Sequence, residues 1–362
     1  VNAFSPLSAL PAQWNADADD VLICRAVRQE THDVRTFFFS PANPCLFRHL
    51  PGQFVTLDLE IGGQKINRCY TISSAPTRPD LLSITVKRVP NGPVSNWLHD
   101  TLKPGMRIRA VGPMGDFTNV HHPAPKYLFL SGGSGITPLM AMARTQYDLA
   151  AEADTVFVHA ARSPADIIFR DELSLMARTR HGFSVAFLCE TDSAGEIWNG
   201  YRGRLNTALL TRIAPDFMER EVFVCGPAPF MAAAKTILAE AGFDMRRHHE
   251  ESFDFGILAQ EEPEAAAEAE AVAASGGFSI TFSKSDRQID CDPDTTVLQA
   301  GRRAGLKLPA SCSKGVCGTC KSKLVSGRVE MKHNGGIRQK EVDQGMFLPC
   351  CSRPLTDLVV ER

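Results

Sequence analysis

The stretch Cys312-Ser-Lys-Gly-Val-Cys317-Gly-Thr-Cys320, answered about thirty residues later by the pair Cys350-Cys351, constrains this chain more than any other. Three thiolates at C-x4-C-x2-C with a fourth far along the chain match the arrangement that holds a [2Fe–2S] cluster. In that arrangement one tight loop supplies three ligands and a distant segment the last. Wrapping a backbone around an anionic cluster favours residues without a Cβ, and Gly315 and Gly318 stand inside the loop. Adjacent cysteines on an extended chain point in different directions, so spacing leaves Cys350 and Cys351 both open as the fourth ligand. Zinc is the competing occupant. Zinc modules usually pair two short knuckles, whereas here a single knuckle carries three cysteines. The remaining cysteines, Cys24, Cys45, Cys69, Cys189, Cys225 and Cys291, are scattered singly, the pattern of buried thiols rather than of a disulfide framework.

A chain of 362 residues divides into two or three domains. A formal charge of −2 gives no electrostatic reason to expect a nucleic-acid partner. No apolar run approaches the roughly 18 residues that span a bilayer, and the first residues show no basic stretch followed by an apolar core. The expectation is a soluble, cytoplasmic protein. Residues 261–270 read Glu-Glu-Pro-Glu-Ala-Ala-Ala-Glu-Ala-Glu, acidic and free of large apolar side chains, and mark 257–276 as a linker. The cluster loop is flanked instead by Lys314, Lys321, Lys323, Arg328 and Lys332 against Glu330. Such a basic rim is either a solvated face or a steering surface for an acidic partner.

Residues 1–20 read as a loosely held lead-in. From Val21 the pattern becomes short β-branched or alternating runs, Val21–Val27, Thr36–Phe39, Phe54–Leu59, Tyr70–Ile72, Leu82–Val89 and Arg107–Ala110, with Pro-Gly, Gly-Gly and Asn-Gly turns between several of them. Many short strands at this spacing predict a small antiparallel β-barrel over 21–122. Two of its segments carry chemistry. In Arg68-Cys-Tyr70-Thr71-Ile-Ser73 the Arg and Tyr share a strand face, so a guanidinium for phosphate and a ring for a flat heterocycle can meet one ligand; a half-buried strand with a solvated Arg is the alternative. In Gly92-Pro-Val94-Ser95 a turn opens a helix whose free N–H groups suit a pyrophosphate, although Ser95 would equally serve as an ordinary cap.

From residue 123 to 256 the texture changes to alternating strands and helices, which predicts a parallel sheet. The strand Tyr127–Leu130 runs into Ser131-Gly132-Gly133-Ser134-Gly135-Ile-Thr137-Pro138 and a helix over Leu139–Tyr147. A glycine-rich turn between strand and helix is where a dinucleotide phosphate approaches the backbone, though this one lacks the G-x-G-x-x-G spacing. Strands are expected at Thr155–Ala160, Ser184–Cys189 and Glu221–Val224, with helices at Asp166–Arg178 and Ala228–Ala241. Cys225-Gly226-Pro227 follows a strand at its C-terminal end, where open α/β sheets place ligands. His248-His249 has no second metal-like set nearby and reads as ordinary surface or packing residues. Residues 277–362 form an α+β unit, with strands Phe278–Phe282, Arg287–Cys291, Ser322–Val325 and Leu358–Val360 around a helix Thr296–Ala304.

Taken in order, Arg68-x-Tyr70-Thr71-x-Ser73, Gly92-x-x-Ser95, Gly132-Gly-x-Gly135-x-Thr137-Pro138 and Cys225-Gly-Pro227 resemble the ferredoxin–NADP reductase superfamily. The C-terminal segment resembles plant-type ferredoxins of the β-grasp fold, in which the last ligand stands four residues before a proline. Cys350 stands so before Pro354, and the likeness therefore implies Cys312, Cys317, Cys320 and Cys350 as ligands. Ser83-Ile-Thr-Val-Lys-Arg-Val-Pro90, Val94-Ser-Asn-Trp-Leu-His-Asp100, His249-Glu-Glu-Ser-Phe253 and Val329-Glu-Met-Lys-His-Asn-Gly-Gly-Ile337 are similar to the reductases of glycine betaine monooxygenases and related quaternary-amine demethylases. In those systems a separate Rieske-type oxygenase performs the N-demethylation.

The resemblance implies FAD, NADH and one [2Fe–2S] cluster. Arg68 would hold the flavin phosphate, Tyr70 would stack on the ring, and Thr71 or Ser73 would bond its polar edge. Gly92, Val94 and Ser95 would cap the pyrophosphate. Gly132, Gly133, Gly135, Thr137 and Pro138 would bind NADH, with Cys225, Gly226 and Pro227 near the nicotinamide and Glu251 and Phe253 on the flavin side. Tyr70, Ser73, Cys225 and Glu251 are the expected catalytic residues. FMN in place of FAD stays open. So does NADPH, because Arg162 and Ser163 sit where a 2′-phosphate would be met, although Asp166 would repel it. A reductase serving a hybrid-cluster protein and a redox-sensing interaction module are the rival functions.

Overall fold

The computed structural model describes residues 12–15, 20–43, 45–253, 277–306, 308, 315, 318, 320–333 and 335–362. The acidic stretch expected as a linker and the expected ligands Cys312 and Cys317 lie outside the described residues. The chain divides into two compact units, residues 1–55 with 70–253 and residues 56–69 with 254–362.

The first sheet contains β1 (Val21–Thr31), β2 (Val34–Pro41), β3 (Phe54–Ile61), β4 (Gln64–Thr71), β5 (Leu82–Lys87) and β6 (Arg107–Met114), in the order β4-β3-β6-β1-β2-β5. The strands β4 and β5 are the sheet's two edges. Ile72, just past β4, bridges antiparallel to Ile84 of β5, and Ser73 N–H donates to the Ser83 carbonyl at 2.8 Å. Those bonds bring the edges together, as the expected barrel requires, and a closed sheet leaves no edge to aggregate. Leu22, Phe37, Phe39, Leu82 and Ile84 are fully buried. Helix α1 (Pro93–Asp100) begins at Gly92. Within the described part of the lead-in, residues 12–15, Gln13 bridges to Leu46, and the buried Trp14 packs on Phe47 at 5.2 Å between ring centroids.

The second sheet is wholly parallel. It follows the chain through β7 (Lys126–Gly132), α2 (Ile136–Asp148), β8 (Asp154–Ala161), α3 (Arg170–Thr179), β9 (Phe183–Cys189), β10 (Tyr201–Arg202), α4 (Thr207–Ile213), β11 (Glu221–Gly226), α5 (Ala228–Glu240) and β12 (His248–Ser252). The strand order is β10-β9-β8-β7-β11-β12, so the winding direction reverses between β7 and β11. Both faces are covered. Leu210, Met231, Ala234 and Leu238 of α4 and α5 pack on one face, and Leu139, Met140, Leu173 and Met176 of α2 and α3 on the other. Helix α3 starts later than the sequence pattern predicts because Phe169 adopts a left-handed φ of 56° immediately before it.

The C-terminal sheet is mixed. Its elements are β13 (Phe278–Phe282), β14 (Arg287–Cys291), α6 (Val297–Arg303), β15 (Ser322–Ser326), β16 (Val329–Met331), α7 (Gln339–Asp343), β17 (Met346–Phe347), β18 (Ser352–Pro354) and β19 (Leu358–Glu361). The order is β14-β13-β19-β15-β17, with β16 and β18 paired as a separate ribbon. Thr296 and Gln299 form a reciprocal capping box that fixes the start of α6. Val297 and Ala300 then pack on Ile280, Phe282 and Val360. A mixed sheet gripping one helix is the α+β unit the sequence predicts. Among the described residues no helix is long and apolar enough to cross a membrane.

Candidate functional site

The reversal between β7 and β11 sets two strand ends side by side, and open parallel sheets bind ligands at such a point. The turn after β7 is built for close approach. A Cβ on Gly135 would lie 2.4 Å from the carbonyl carbon and oxygen of Cys225, and one on Gly132 would lie 3.1 Å from the side chains of Phe230 and Pro227. Nothing larger than hydrogen fits at 135, so the Gly132–Gly135 turn and the Cys225-Gly226-Pro227 turn, far apart in sequence, touch through their backbones. Gly133 follows with a φ of 51°, and Thr137 ties the turn by donating from Oγ1 to the Ser134 carbonyl at 3.2 Å.

Cys225 is fully buried, and burial, followed by the nearby Glu251 carboxylate, pushes its thiol well above the ordinary range. Glu251 faces it in register from β12. Part of the residue reaches the surface, but its carboxylate is buried, Oε2 has no partner, and burial raises its pKa to about 8. At neutral pH this carboxyl is protonated. This end of the sheet thus presents a neutral thiol and a neutral acid. Phe253, directly after β12, is half-buried.

A second polar pair at the same strand ends escaped sequence reasoning. Ser131 Oγ donates to the Val158 carbonyl at 3.1 Å, which leaves it to accept from Nδ1 of His159 at 2.8 Å. Burial, with a smaller contribution from Lys87, lowers the His159 pKa to about 3, and its Nε2 is buried without a partner. A lone histidine in a strand carries no signal for this. Arg144 is the other omission. It pairs bidentately with Glu172 at 2.7 and 2.6 Å, stacks over Phe169 and donates to the Ser73 carbonyl, joining α2 to the barrel motif.

Within the barrel, Arg68 and Tyr70 are two residues apart on β4, and Thr71 is buried. Ser73 is completely buried, and its hydroxyl meets Ser83 at 3.0 Å and Thr85 at 2.9 Å. That hydroxyl is committed inside the barrel. Val94 and Ser95 are buried in the first turn of α1. Ser95 Oγ accepts from Val89 N–H at 3.1 Å and donates to the Gly92 carbonyl at 3.3 Å, so it shapes the turn and leaves ligand contact to backbone N–H groups.

In the C-terminal sheet, Cys320 and Cys350 are buried in one cluster with Leu298, Ile337 and Leu348. Gly315 and Gly318 have φ of 68° and 69°, as a loop folded around a cluster requires. The sulfur of Cys351 lies against the same loop, 2.7 Å from where a Cβ on Gly315 would stand. Lys321, placed on the basic rim by sequence, is instead buried in an ion pair with Glu341 at 2.7 Å. Lys332 keeps the exposed position expected of it.

Three family models match the chain: an oxidoreductase FAD-binding domain over residues 23–119, an oxidoreductase NAD-binding domain over 129–236, and a 2Fe-2S iron-sulfur cluster binding domain over 280–355. The chain is 48% identical over 364 aligned residues to the glycine betaine monooxygenase reductase subunit of Pseudomonas aeruginosa, covering 98% of each. It is 46% identical to the stachydrine N-demethylase reductase subunit of Rhizobium meliloti, covering 94% of this chain and 96% of that one. Among solved structures, phthalate dioxygenase reductase matches with a TM-score of 0.56 and 21% identity over 96% of this chain and all of that one, a likeness of fold. The three expected cofactor modules are all present in the expected order, and the chain belongs to the family of FAD-, NAD- and [2Fe–2S]-binding oxidoreductases that includes the glycine betaine monooxygenase reductase subunits.

Proposed function

We propose that this protein is the NADH-dependent reductase of a two-component oxygenase, delivering electrons to a Rieske-type partner that N-demethylates glycine betaine or a similar quaternary amine. The observation that carries the reading is the backbone contact of the Gly132–Gly135 and Cys225–Pro227 turns beside the buried carboxyl of Glu251. The names of the relatives supply the amine and the partner. The need for NADH argues for work in the cytoplasm.

The residues present fit each group. Gly132, Gly133 and Gly135, with Gly226 and Pro227, form a cradle that a Cβ would fill, suited to the dinucleotide. Arg68, Tyr70 and Thr71 with the start of α1 suit FAD, and the paired Cys320 and Cys350 beside left-handed glycines suit an iron–sulfur cluster better than a two-knuckle zinc site. FAD held by these residues would supply the means to take two electrons from a hydride and release them singly, which would match a two-electron donor to a one-electron cluster. The chain's own residues align and exclude. Thr137 and Gly135 fix the turn against Cys225, the neutral Cys225 and Glu251 keep ionised groups away from the hydride path, and Arg144 holds the Ser73 end of the barrel against α2.

Anaerobic addition of NADH to the holoprotein, followed in the visible, tests the relay. Loss of both flavin and cluster absorbance is expected, and a purified glycine betaine oxygenase should then turn over only when this chain is added. Bleaching without any support of that oxygenase would reject the amine assignment while keeping the reductase.

A further inference from the structure

The end of the parallel sheet opposite the nucleotide turns carries a side-chain cluster that the reading above does not use. Glu221 opens β11, and His249 lies on β12 in register with Phe223. His122 comes from the segment that leads out of the barrel into β7. His249 Nε2 is 2.6 Å from Glu221 Oε1, and the His122 and His249 rings stack with centroids 3.7 Å apart, against Phe223. One ligand atom from each of the three residues lies within 4.8 Å of the other two. The other oxygen of Glu221 meets Arg247 Nε at 3.3 Å. Sequence alone shows no second donor set for His248-His249; the fold supplies one from two distant segments.

Packing against Phe223 calls for flat rings, and phenyl groups would do that without polar atoms. Two imidazoles and a carboxylate converging at half-buried positions form instead the three-ligand set of open zinc sites. We propose that His122, Glu221 and His249 bind one divalent transition-metal ion of the zinc class, fastening the segment that enters the sheet to β11 and β12. Donor atoms around a tetrahedral zinc stand about 3.4 Å apart, so the widest pair here closes by no more than ~1.5 Å, within reach of small side-chain rotations. On binding, the Nε2 proton of a His249 that donates to Glu221 moves to Nδ1 or leaves, the imidazole lone pair takes the ion, and Arg247 stays on the far carboxylate oxygen. From Glu221 to Gly226 the strand runs five steps, about 16 Å at ~3.3 Å per residue, so the ion stands clear of the nucleotide turns.

The test uses the intact holoprotein dialysed against a chelator and then against micromolar zinc. The wild type should retain one zinc equivalent more than His122→Ala/His249→Ala, and Glu221→Gln should weaken binding at least ten-fold. X-ray absorption at the zinc edge should show a nitrogen- and oxygen-dominated shell at about 2.0–2.1 Å. NADH oxidation with an artificial acceptor should change by less than two-fold in all forms, which also shows that the variants fold. Should the double variant lose its flavin, His249→Gln, which keeps the side chain's bulk and an amide toward Glu221, takes its place. Equal zinc uptake by wild type and variants, no zinc retained by the wild type, or a sulfur-dominated shell at about 2.3 Å would each overturn the proposal.

Discussion

Two buried glutamates, one in each compact unit, have been driven in opposite directions. Glu251 sits at the nucleotide end of the parallel sheet with Oε2 unpartnered, and burial raises its pKa to about 8. Glu341 sits beside the cluster loop's exit. Burial pushes it the same way, but hydrogen bonds from Arg338 and Lys321 outweigh that and hold it at about 2. Desolvation is common to both, so partners alone decide the sign. The difference separates scaffold from site. Glu341 is a permanently ionised tie between α7 and the strand after Cys320, whereas Glu251 is kept unpaired where a ligand is expected, and an unpaired buried acid is tolerated mostly where it has work to do.

Removing the tie has the largest effect. Glu341→Ala strands Lys321 as a buried cation and deletes the bonds that Arg338 donates to the carboxylate, and we expect a loss of about 3–5 kcal/mol in the cluster-binding unit. Its core is small, so cluster absorbance should fade at a temperature where the flavin still reports an intact first unit. The wild-type contribution has a definite pH window. A carboxyl lowered on folding stabilises fully above its unfolded value near 4.5 and loses that stabilisation as pH falls toward 2. Melting that unit between pH 5 and 2 in wild type and variant should show the two curves converging. Parallel curves would mean that the ion pair contributes nothing.

Glu251 should behave in the mirror image and with a smaller effect. Its folded pKa lies above the unfolded value, so stability is fully present below about pH 4.5 and declines as pH rises toward 8. Glu251→Gln abolishes that decline, and at pH 7 the variant should gain about 1–3 kcal/mol. Denaturant unfolding of the first unit at pH 5 and pH 8 measures both. A variant no more stable than wild type at pH 8, with hydride transfer from NADH unchanged, would show that Glu251 is neither strained nor used.

What the sequence discloses and what it hides divide along the same line. Strands built from β-branched and aromatic runs, such as Tyr127–Leu130, Thr155–Ala160 and Phe278–Phe282, are legible because their burial follows directly from composition. The polar start of β4, Gln64-Lys65-Ile66-Asn67, is not, because its pairing is imposed by neighbouring strands. Strand β12, His-His-Glu-Glu-Ser, carries no apolar strand pattern and escapes notice for the same reason. The glycine turns and the cysteine spacing stand out because backbone approach and metal ligation restrict residue type at fixed offsets. The Ser131–His159 pair, the Arg144–Glu172 bridge and the convergence of His122 with Glu221 and His249 join residues from separate segments, and no local pattern announces them. The choice between Cys350 and Cys351 stays close even in three dimensions, since one is buried beside Cys320 and the other lies against Gly315.

Asp166 stands between the two glutamates and gives the smallest effect. Burial opposes its ionisation, but hydrogen bonds from Ser163 at 2.7 Å and Arg162 at 2.6 Å keep its carboxyl below the usual range. Those are the two side chains that the sequence offers to a nucleotide 2′-phosphate. The acid therefore both occupies the donors and repels the phosphate, which argues for NADH over NADPH. Asp166→Asn removes the charge while keeping the shape, and it should shift the ratio of kcat/KM for NADPH over NADH upward by roughly ten- to thirty-fold, about 1.5–2 kcal/mol, modest because Arg162 is largely exposed and solvent screens the site. Steady-state rates with both nucleotides at low and high salt decide it. A ratio that moves less than two-fold at low salt would locate nucleotide choice elsewhere, and a gain that survives high salt would mean that Asp166 acts by occupying Ser163 and Arg162 more than by its charge.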